Sequence, residues 1–419
     1  MKRNFWLFAL GRLVSLIGSG IQQIALPLFI LDLTGSGAMM GTFALVSMLP
    51  RIAFAPMAGV FGDRFNRKRI MVNLDFLRGS LILTLAGGAF LGFLKLWVLF
   101  VGQFLISTMD IFFDPATQAM LPDLVDREQL TRANSIISGI NSLSYIVGPA
   151  LGGILYGLFG ITAVFLANGI SFVASAVSEL FIEYNYKRKA SKLTVKTAVK
   201  EILEGVRFFR EIPGLLFILL FAMISNFLIA PIFSVVFPYF SRQVAGFSSQ
   251  QYGFLETTWV VGILFGNLII GAFLYKKDMY SLFSAGLIVE TLFFAIFSAV
   301  AFETLITYFG RGTWTYFLVL AFIFVVLGIF NAMVNTPLIT LFQKKTPTEI
   351  RSRAFSVMSL LSQLAVPLGS VIFGFALDSI HVQWIIFYAM IANGVVTILF
   401  LAGGMKKFFT AESEQAASN

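Results

Sequence analysis

Apolar residues run along this chain in long blocks, separated by short polar or charged segments. A helix that crosses the hydrocarbon core of a membrane needs about 20 mainly apolar residues. Twelve blocks reach that length, and the tightest breaks between them are LTGSG (33–37) and FGI (159–161). The blocks cover approximately 5–33, 38–62, 70–92, 96–119, 133–158, 162–184, 214–240, 250–275, 279–302, 314–340, 353–378 and 383–404. The pattern therefore predicts an all-α membrane protein with twelve transmembrane helices.

Composition narrows the class of protein further. Of the 419 residues, 58% are hydrophobic and 12% are charged, whereas soluble domains carry about 25% charged residues. The absence of Cys and the single histidine, His381, exclude disulfides, thiolate chemistry and a zinc site built from Cys and His. No GxxxxGK[ST] loop is present, so energy is expected from an ion or substrate gradient. We expect a polytopic membrane protein without a cofactor or a bound metal, and not an enzyme.

Basic residues indicate the orientation in the membrane, because Lys and Arg concentrate in cytoplasmic loops. With the N-terminus inside, 24 of the 30 fall in inside segments and three, Lys95, Arg242 and Arg311, fall outside. This distribution explains the net charge of +9 without nucleic acid. No small-residue cleavage site follows the first apolar run, so we expect a retained first span. Both termini are predicted to be cytoplasmic, in a bacterial-type inner or plasma membrane.

A weak internal repeat divides the chain into two halves. Four residues of the fourth loop (Glu128, Arg132, Ala133 and Ser135) recur 221 positions later, and Gly153 falls on Gly374 at the same offset. We predict a six-helix bundle over 1–184, a cytoplasmic linker over 185–213, a second six-helix bundle over 214–404 and a cytoplasmic tail over 405–419. The linker is expected to hold an amphipathic helix on the membrane surface, or a plain linker helix. Halves of equal orientation imply a pseudo-twofold axis along the membrane normal and a substrate site between them.

The loop after the second span carries the motif G-x-x-x-D-R-x-x-R-K, from Gly59 to Lys68. It resembles the loop signature of the major facilitator superfamily. The resemblance implies a conformational latch on the cytoplasmic side, in which Asp63 faces the start of span eleven near Arg353. Arg64 and Arg67 would reach a carboxylate at the end of span four, for which Asp114 is the expected partner.

Span five contains Gly148, Pro149, Gly152 and Gly153, in the pattern GPxxGG. This resembles the signature of the exporter and antiporter branches of the same superfamily. The glycines would allow close packing against span eight, where Gly262 and Gly266 are spaced as GxxxG. The segment 112–136, with its Pro-Ala, Leu-Pro and Ala-Asn pairs, resembles the macrolide-efflux and siderophore-exporter branch.

Charged residues within spans are costly, by about 3 kcal/mol at a helix centre, and therefore point to a role. Asp75 and Arg78 are three residues apart on span three and are expected to form a structural ion pair. Asp110 is expected to join them, as a structural partner or as a substrate or proton site. Further candidates for binding protons or substrate are the ionisable residues Asp32, Arg51, Glu256 and Glu290 and the amides Gln22, Gln23, Asn226, Asn331 and Asn335. Asp32 alternatively caps a helix end, and Glu290 alternatively serves as a structural partner.

The resemblance and the sparse polar residues lead to one functional expectation. We expect a proton-coupled exporter of small amphipathic compounds that acts as a monomer in the lipid bilayer, by alternation of its two halves. The alternative keeps the fold and changes the cargo to a siderophore or a lysolipid, because Arg12 and Arg51 would favour an anion.

Overall fold

Helices are the regular elements throughout the part of the chain that the structure describes. In this computed structural model that part comprises residues 3–184, 203–204, 206–347, 351–403 and 409, and it excludes the side chains of 55–56, 58–64, 213, 351–353 and 356. The predicted linker helix lies largely outside it. Eleven helices of the described residues are long and apolar enough to cross a membrane.

Five helices form the first part of the chain. They are α1 (Arg3–Thr34), α2 (Gly37–Arg64), α3 (Arg67–Phe90), α4 (Leu96–Leu124) and α5 (Leu130–Leu180). Helix α5 is long enough for two spans, and it breaks at Gly160, whose φ of 70° and ψ of −172° are not helical. Such a backbone angle suits glycine, which has no Cβ to clash. The break lies in the predicted FGI turn, so α5 contains spans five and six, and the twelve predicted spans are confirmed.

Seven helices follow. They are α6 (Pro213–Pro231), α7 (Ser249–Ile269), α8 (Met279–Val300), the short α9 (Glu303–Phe309), α10 (Trp314–Lys345), α11 (Arg351–Leu377) and α12 (Val382–Ala402). Helix α6 continues through two π-helical turns, Ile232–Val236 and Phe240–Val244, and α7 ends in a third, Ile270–Leu274.

The helices group into two compact units. The N-terminal unit is drawn from Met1–Gly35, Phe43–Val199 and Ser249–Thr257, and the C-terminal unit from Ser36–Thr42, Lys200–Ser248 and Thr258–Asn419. The first turn of α2 thus groups with the C-terminal unit, and the first turns of α7 group with the N-terminal unit.

Each unit has its own apolar core. In the N-terminal unit, α1 and α3 pack along α5, and Phe5, Phe8 and Met120 belong to a buried cluster. In the C-terminal unit, α8 packs on α10 and α6 on α11, and Phe221 and Phe400 stack with ring centroids 4.1 Å apart. Many of the 48 Phe residues therefore serve packing.

Candidate functional site

Arg78 on α3 is the centre of a buried ion-pair cluster in the N-terminal unit. Its guanidinium pairs with Asp75, one turn earlier, and donates from Nη1 to Asp110 Oδ1 on α4 at 2.6 Å. The ring centroids of Phe113 and Phe172 lie 3.9 and 4.6 Å from its Cζ, which holds the cation between two aromatic faces. The Asp75 side chain is fully buried, whereas 40% of the Asp110 side chain is exposed. Asp110 is therefore the member of this cluster that water reaches.

Glu179 on α5 adds another carboxyl group to the cluster. It is 2% exposed and interacts electrostatically with Asp75 and Arg78. Asp75, Asp110 and Glu179 thus interact with one guanidinium, which would leave two negative charges in the span region if all three carboxyl groups were ionised. Because charge at this depth is costly, the arrangement is suited to holding a proton.

Asp114, one turn after Asp110 on α4, connects this cluster to two more arginines. The carboxylate interacts electrostatically with Arg12 of α1 and Arg51 of α2, as well as with Arg78. Arg12 also donates from Nε to Asn141 Oδ1 at 3.3 Å. Asp114 and Arg51 are both exposed, and charged groups within spans face water rather than lipid. The two side chains therefore mark an aqueous surface of the N-terminal unit.

Glu290 and Asn331, which were separate candidates in the sequence, are in contact in the C-terminal unit. Asn331 Nδ2 on α10 donates to Glu290 Oε1 on α8 at 2.9 Å. Asn335, one turn further along α10, donates to Asn331 Oδ1 at 3.0 Å. Glu290 is buried at 7% exposure, and Asn335 is exposed. A polar connection thus leads from a buried carboxyl to an exposed amide.

The two remaining carboxyl candidates have tyrosine partners. Asp32, exposed at the end of α1, accepts from the hydroxyl of Tyr156 at 2.8 Å. Glu256 on α7 is half-buried, and its hydrogen-bond partner is Tyr252, one turn earlier on the same helix. Each carboxylate is thereby held against its neighbour, Asp32 at a helix end and Glu256 within a span.

The amide candidates differ in accessibility. Gln22 is 6% exposed and accepts from Asn168 Nδ2 of α5 at 2.7 Å, so it is a packing contact rather than a cavity-lining group. Gln23 is exposed and Asn226 is half-buried. Asn168 lies in the predicted sixth span, so screening that span for polar residues would have found it.

The expected contact between Arg67 and Asp114 is wrong. Arg67 Nη1 lies 2.8 Å from Asp123 Oδ2 and 3.0 Å from the carbonyl oxygen of Ala119. Arg67 begins α3, and Asp123 lies at the end of α4, which brings the two termini together. Asp114 lies more than two turns further into α4, so it is too deep for Arg67.

Tyr184 and Lys68 complete the contacts at this end of the N-terminal unit. The Tyr184 hydroxyl donates to Asp123 Oδ2 at 2.9 Å. Burial and this hydrogen bond raise the pKa of Tyr184 to about 12, so the phenol stays a neutral donor at physiological pH. Lys68 Nζ donates to the carbonyl oxygen of Leu180 at 2.8 Å, the last residue of α5.

The other latch residues lie at the edge of the described structure. Gly59, Asp63 and Arg64 fall in the last turns of α2, and Arg353 falls in the first turn of α11. Their side chains lie outside the described part, so their roles in a latch remain predictions.

The glycines of the GPxxGG motif divide between two neighbouring helices. A Cβ on Gly148 would lie 2.9 Å from Cα of Gly20 on α1, and one on Gly152 would meet the backbone of Ile21. A Cβ on Gly153 instead would lie 3.1 Å from Cα of Gly253 on α7. Only this third glycine makes the expected contact with span eight.

The expected partners on span eight also need correction. Gly262 and Gly266 do not face span five but pack against α10. A Cβ on Gly262 would lie 3.0 Å from Cα of Gly328, and one on Gly266 would lie 2.8 Å from Cβ of Ala332. Gly262 and Gly266 lie about two and a half and three and a half turns after Gly253 on α7, beyond the part of the helix that meets Gly153.

Comparisons with known proteins agree with this architecture. Residues 8–310 match the sequence profile of the Major Facilitator Superfamily. Macrolide efflux protein A of Streptococcus pyogenes is 26% identical over 91% of both chains, and the multidrug efflux pump Tap of Mycolicibacterium fortuitum is also 26% identical over 91% of both. Among solved structures, a bacterial homologue of the iron transporter ferroportin aligns over 95% of this chain and 98% of its own, with a TM-score of 0.68 and 16% identity.

Proposed function

This chain belongs to the Major Facilitator Superfamily, and from that membership we propose that it is a secondary active exporter of small amphipathic compounds, driven by protons. The relatives named for macrolide and multidrug efflux support the direction and the class of cargo. The cargo would be a small molecule of macrolide or multidrug type, carried by a monomer in the bilayer without enzymatic chemistry.

The Asp110–Arg78 ion pair is the observation that carries proton coupling. Asp110 is partly exposed and sits beside a cation that is fixed by Asp75 and by two aromatic rings. When Asp110 takes up a proton, its ion pair with Arg78 weakens. Arg78 keeps its ion pair with Asp75 and stays charged. Asp110 is therefore the group at which a proton and a cationic cargo would compete.

The movement that we propose is alternation of two bundles, 1–184 and 214–404, joined by the linker 185–213. The cytoplasmic latch would involve Asp63, Arg64 and Arg353, while Arg67 would act through Asp123. In this scheme both termini and the tail 405–419 are cytoplasmic, in a bacterial-type inner membrane. Asp63→Asn should slow transport while leaving the protein folded, and normal turnover would contradict the latch.

Proton coupling is tested in inverted membrane vesicles with a proton gradient imposed across the membrane. Transport of a macrolide or a cationic dye should collapse when a protonophore is added. Asp110→Asn should abolish gradient-driven transport but retain a folded protein, while Glu128→Gln, which changes an exposed carboxyl in the loop before α5, should transport normally. Full activity after the gradient is dissipated would exclude proton coupling.

An anionic cargo is the second candidate, and the two arginines Arg12 and Arg51 near Asp114 favour it. Both interact with that carboxylate, so two cations share one anion there, while Arg78 is already paired with Asp75 and Asp110. Catecholate siderophores or lysolipids would then bind better than cationic dyes. Competition among these three ligand classes in one binding assay distinguishes the two candidates.

A further inference from the structure

Glu290, Asn331 and Asn335 form a directed chain of hydrogen bonds within the C-terminal unit. An ionised carboxylate can only accept hydrogen bonds, so Asn331 must turn its Nδ2 to Glu290, as observed at 2.9 Å. Asn331 Oδ1 then accepts from Asn335 Nδ2 at 3.0 Å. A second bond of the same length joins Asn335 Nδ2 to the carbonyl oxygen of Asn331. Both acceptors belong to Asn331, so the Nδ2 of Asn335 points back toward that residue.

The polar atom at the exposed end of this chain of hydrogen bonds is Asn335 Oδ1. Asn335 is exposed and lies inside the span formed by α10, where polar groups face water rather than lipid. With Glu290 ionised, the chain therefore presents an acceptor, Asn335 Oδ1, on an aqueous surface of the C-terminal unit.

We propose that Asn335 binds the N–H or O–H donors of a cargo, in particular a protonated amine, and that the proton on Glu290 controls this binding. The proposal rests on the proposed export function and adds to it a cargo contact in the C-terminal unit. A proton taken up from water by Glu290 lets its O–H donate to Asn331 Oδ1 once that amide has turned over. Asn331 Nδ2 then donates to Asn335 Oδ1, and Asn335 turns its own NH₂ outward. An amine that was held by Oδ1 now meets a donor and is released.

The other titratable residues on the helices packed against α8 lie near helix ends or are exposed. On α8 itself, α9, α10 and α12 they are Tyr280, Glu303, Tyr308, Tyr316, Lys344, Lys345 and Tyr388. The continuation of α6, whose Phe233 and Phe237 contact Phe294 and Phe297 of α8, adds Tyr239 and Arg242 near its end. Asn331 is the polar partner of Glu290, so the proton state of Glu290 passes to Asn335 through this amide.

Binding of two monovalent cations to the purified protein in nanodiscs tests the proposal without any gradient. Ethidium carries amino donors, whereas tetraphenylphosphonium carries none. We expect wild-type protein to bind ethidium about tenfold more weakly at acid than at alkaline pH, as the loss of one hydrogen bond of about 1.4 kcal/mol predicts. Tetraphenylphosphonium should show no such change. Asn335→Ala should weaken ethidium binding by a similar factor and leave tetraphenylphosphonium unaffected.

Two further variants and one control isolate the chain of hydrogen bonds. Glu290→Gln should remove the pH dependence of ethidium binding, and Asn331→Leu, which interrupts the chain, should do the same if Glu290→Gln fails to fold. Thr336→Val is the control, because Thr336 neighbours Asn335 on α10 but bonds to Asn267 instead. It should keep both the wild-type affinity and the pH effect.

The outcomes separate this proposal from the export function. Ethidium binding that keeps its full pH dependence in Glu290→Gln, or an Asn335→Ala variant that weakens both cations equally, overturns the proposed relay alone. Failure of the wild-type protein to bind either cation at any pH counts against the exporter function and the relay together.

Discussion

The carboxylate of Asp378, just after α11, accepts a hydrogen bond of 2.7 Å from the backbone N–H of Gly37, the first residue of α2. Its other oxygen accepts from Ser36 Oγ at 2.8 Å and from the backbone N–H of Ala38 at 3.4 Å. An anion at a helix N-terminus satisfies free N–H groups and complements the helix dipole. Asp378 thus caps a helix that is 341 positions away in sequence.

Removing this cap should destabilise the protein. We expect Asp378→Ala to cost about 1–2 kcal/mol, because two backbone N–H groups of α2 lose their acceptor. Asp378→Asn should cost less, since its amide oxygen still accepts. Thermal unfolding in nanodiscs measures both, with the exposed neighbour Ser379→Ala as the control. Equal unfolding temperatures for Asp378→Ala and Ser379→Ala would contradict the cap.

One turn further along α2, Gly41 should tolerate no side chain. A Cβ there would collide with the carbonyl oxygen of Ser370 and lie 3.2 Å from Cα of Gly374. We expect Gly41→Ala to lower the free energy of unfolding by about 1–3 kcal/mol through overpacking. Gly139→Ala is the matched control, because its Cβ meets nothing within 4 Å and alanine favours a helix by about 0.5–1 kcal/mol. Similar stabilities of the two variants would exclude a close crossing at Gly41.

Arg78 should be essential to the stability of the N-terminal unit. Arg78→Leu leaves the buried Asp75 carboxylate without its cation, and breaking a buried pair in this way costs about 3–5 kcal/mol. The double variant Asp75→Asn with Arg78→Leu should recover part of that loss, because the uncompensated charge is gone. Denaturation of the purified variants measures this, and a double variant less stable than Arg78→Leu would refute the explanation.

The Arg67–Asp123 pair should affect transport more than stability. Both side chains are partly exposed, at 20% and 43%, so the pair contributes no more than about 1 kcal/mol. We expect Asp123→Arg to slow turnover and a second change, Arg67→Asp, to restore part of it. Turnover in vesicles measures this. If the double variant Asp114→Arg with Arg67→Asp showed rescue of turnover, Asp114 would instead be the partner of Arg67.

Tyr184 should stabilise the contact at Asp123, and this stabilisation should not depend on pH in the physiological range. Tyr184→Phe removes the bond to Asp123 and should cost about 1 kcal/mol. Because the phenol pKa is raised to about 12, the stabilisation is complete below about pH 10, the pKa of an unperturbed tyrosine. It is lost as the pH rises from there through about 12. Unfolding of both proteins at pH 6 and pH 9 checks this, and a difference that changes between those values would contradict a neutral donor.

The internal sequence repeat has a counterpart in the structure at two glycines. Gly153 and Gly374 correspond at the offset of 221 residues, and each lies at a close helix crossing, Gly153 with Gly253 and Gly374 with Gly41. The repeat could be found in the sequence because it is a matter of spacing. The partner helices could not, because small residues only permit close approach and do not select which helix approaches.

The sequence by itself determined the twelve spans, the break at Gly160, the superfamily and the positions of the unusual polar residues. These features follow from local constraints, namely the thickness of the bilayer, the backbone freedom of glycine and the cost of charge in lipid. Only the tertiary structure decided the partners: Asp123 for Arg67, Asn331 for Glu290, Asn168 for Gln22 and the N-terminus of α2 for Asp378. Partner choice depends on the depth and rotation of each helix against its neighbours, and these are set by packing between helices that are distant in sequence.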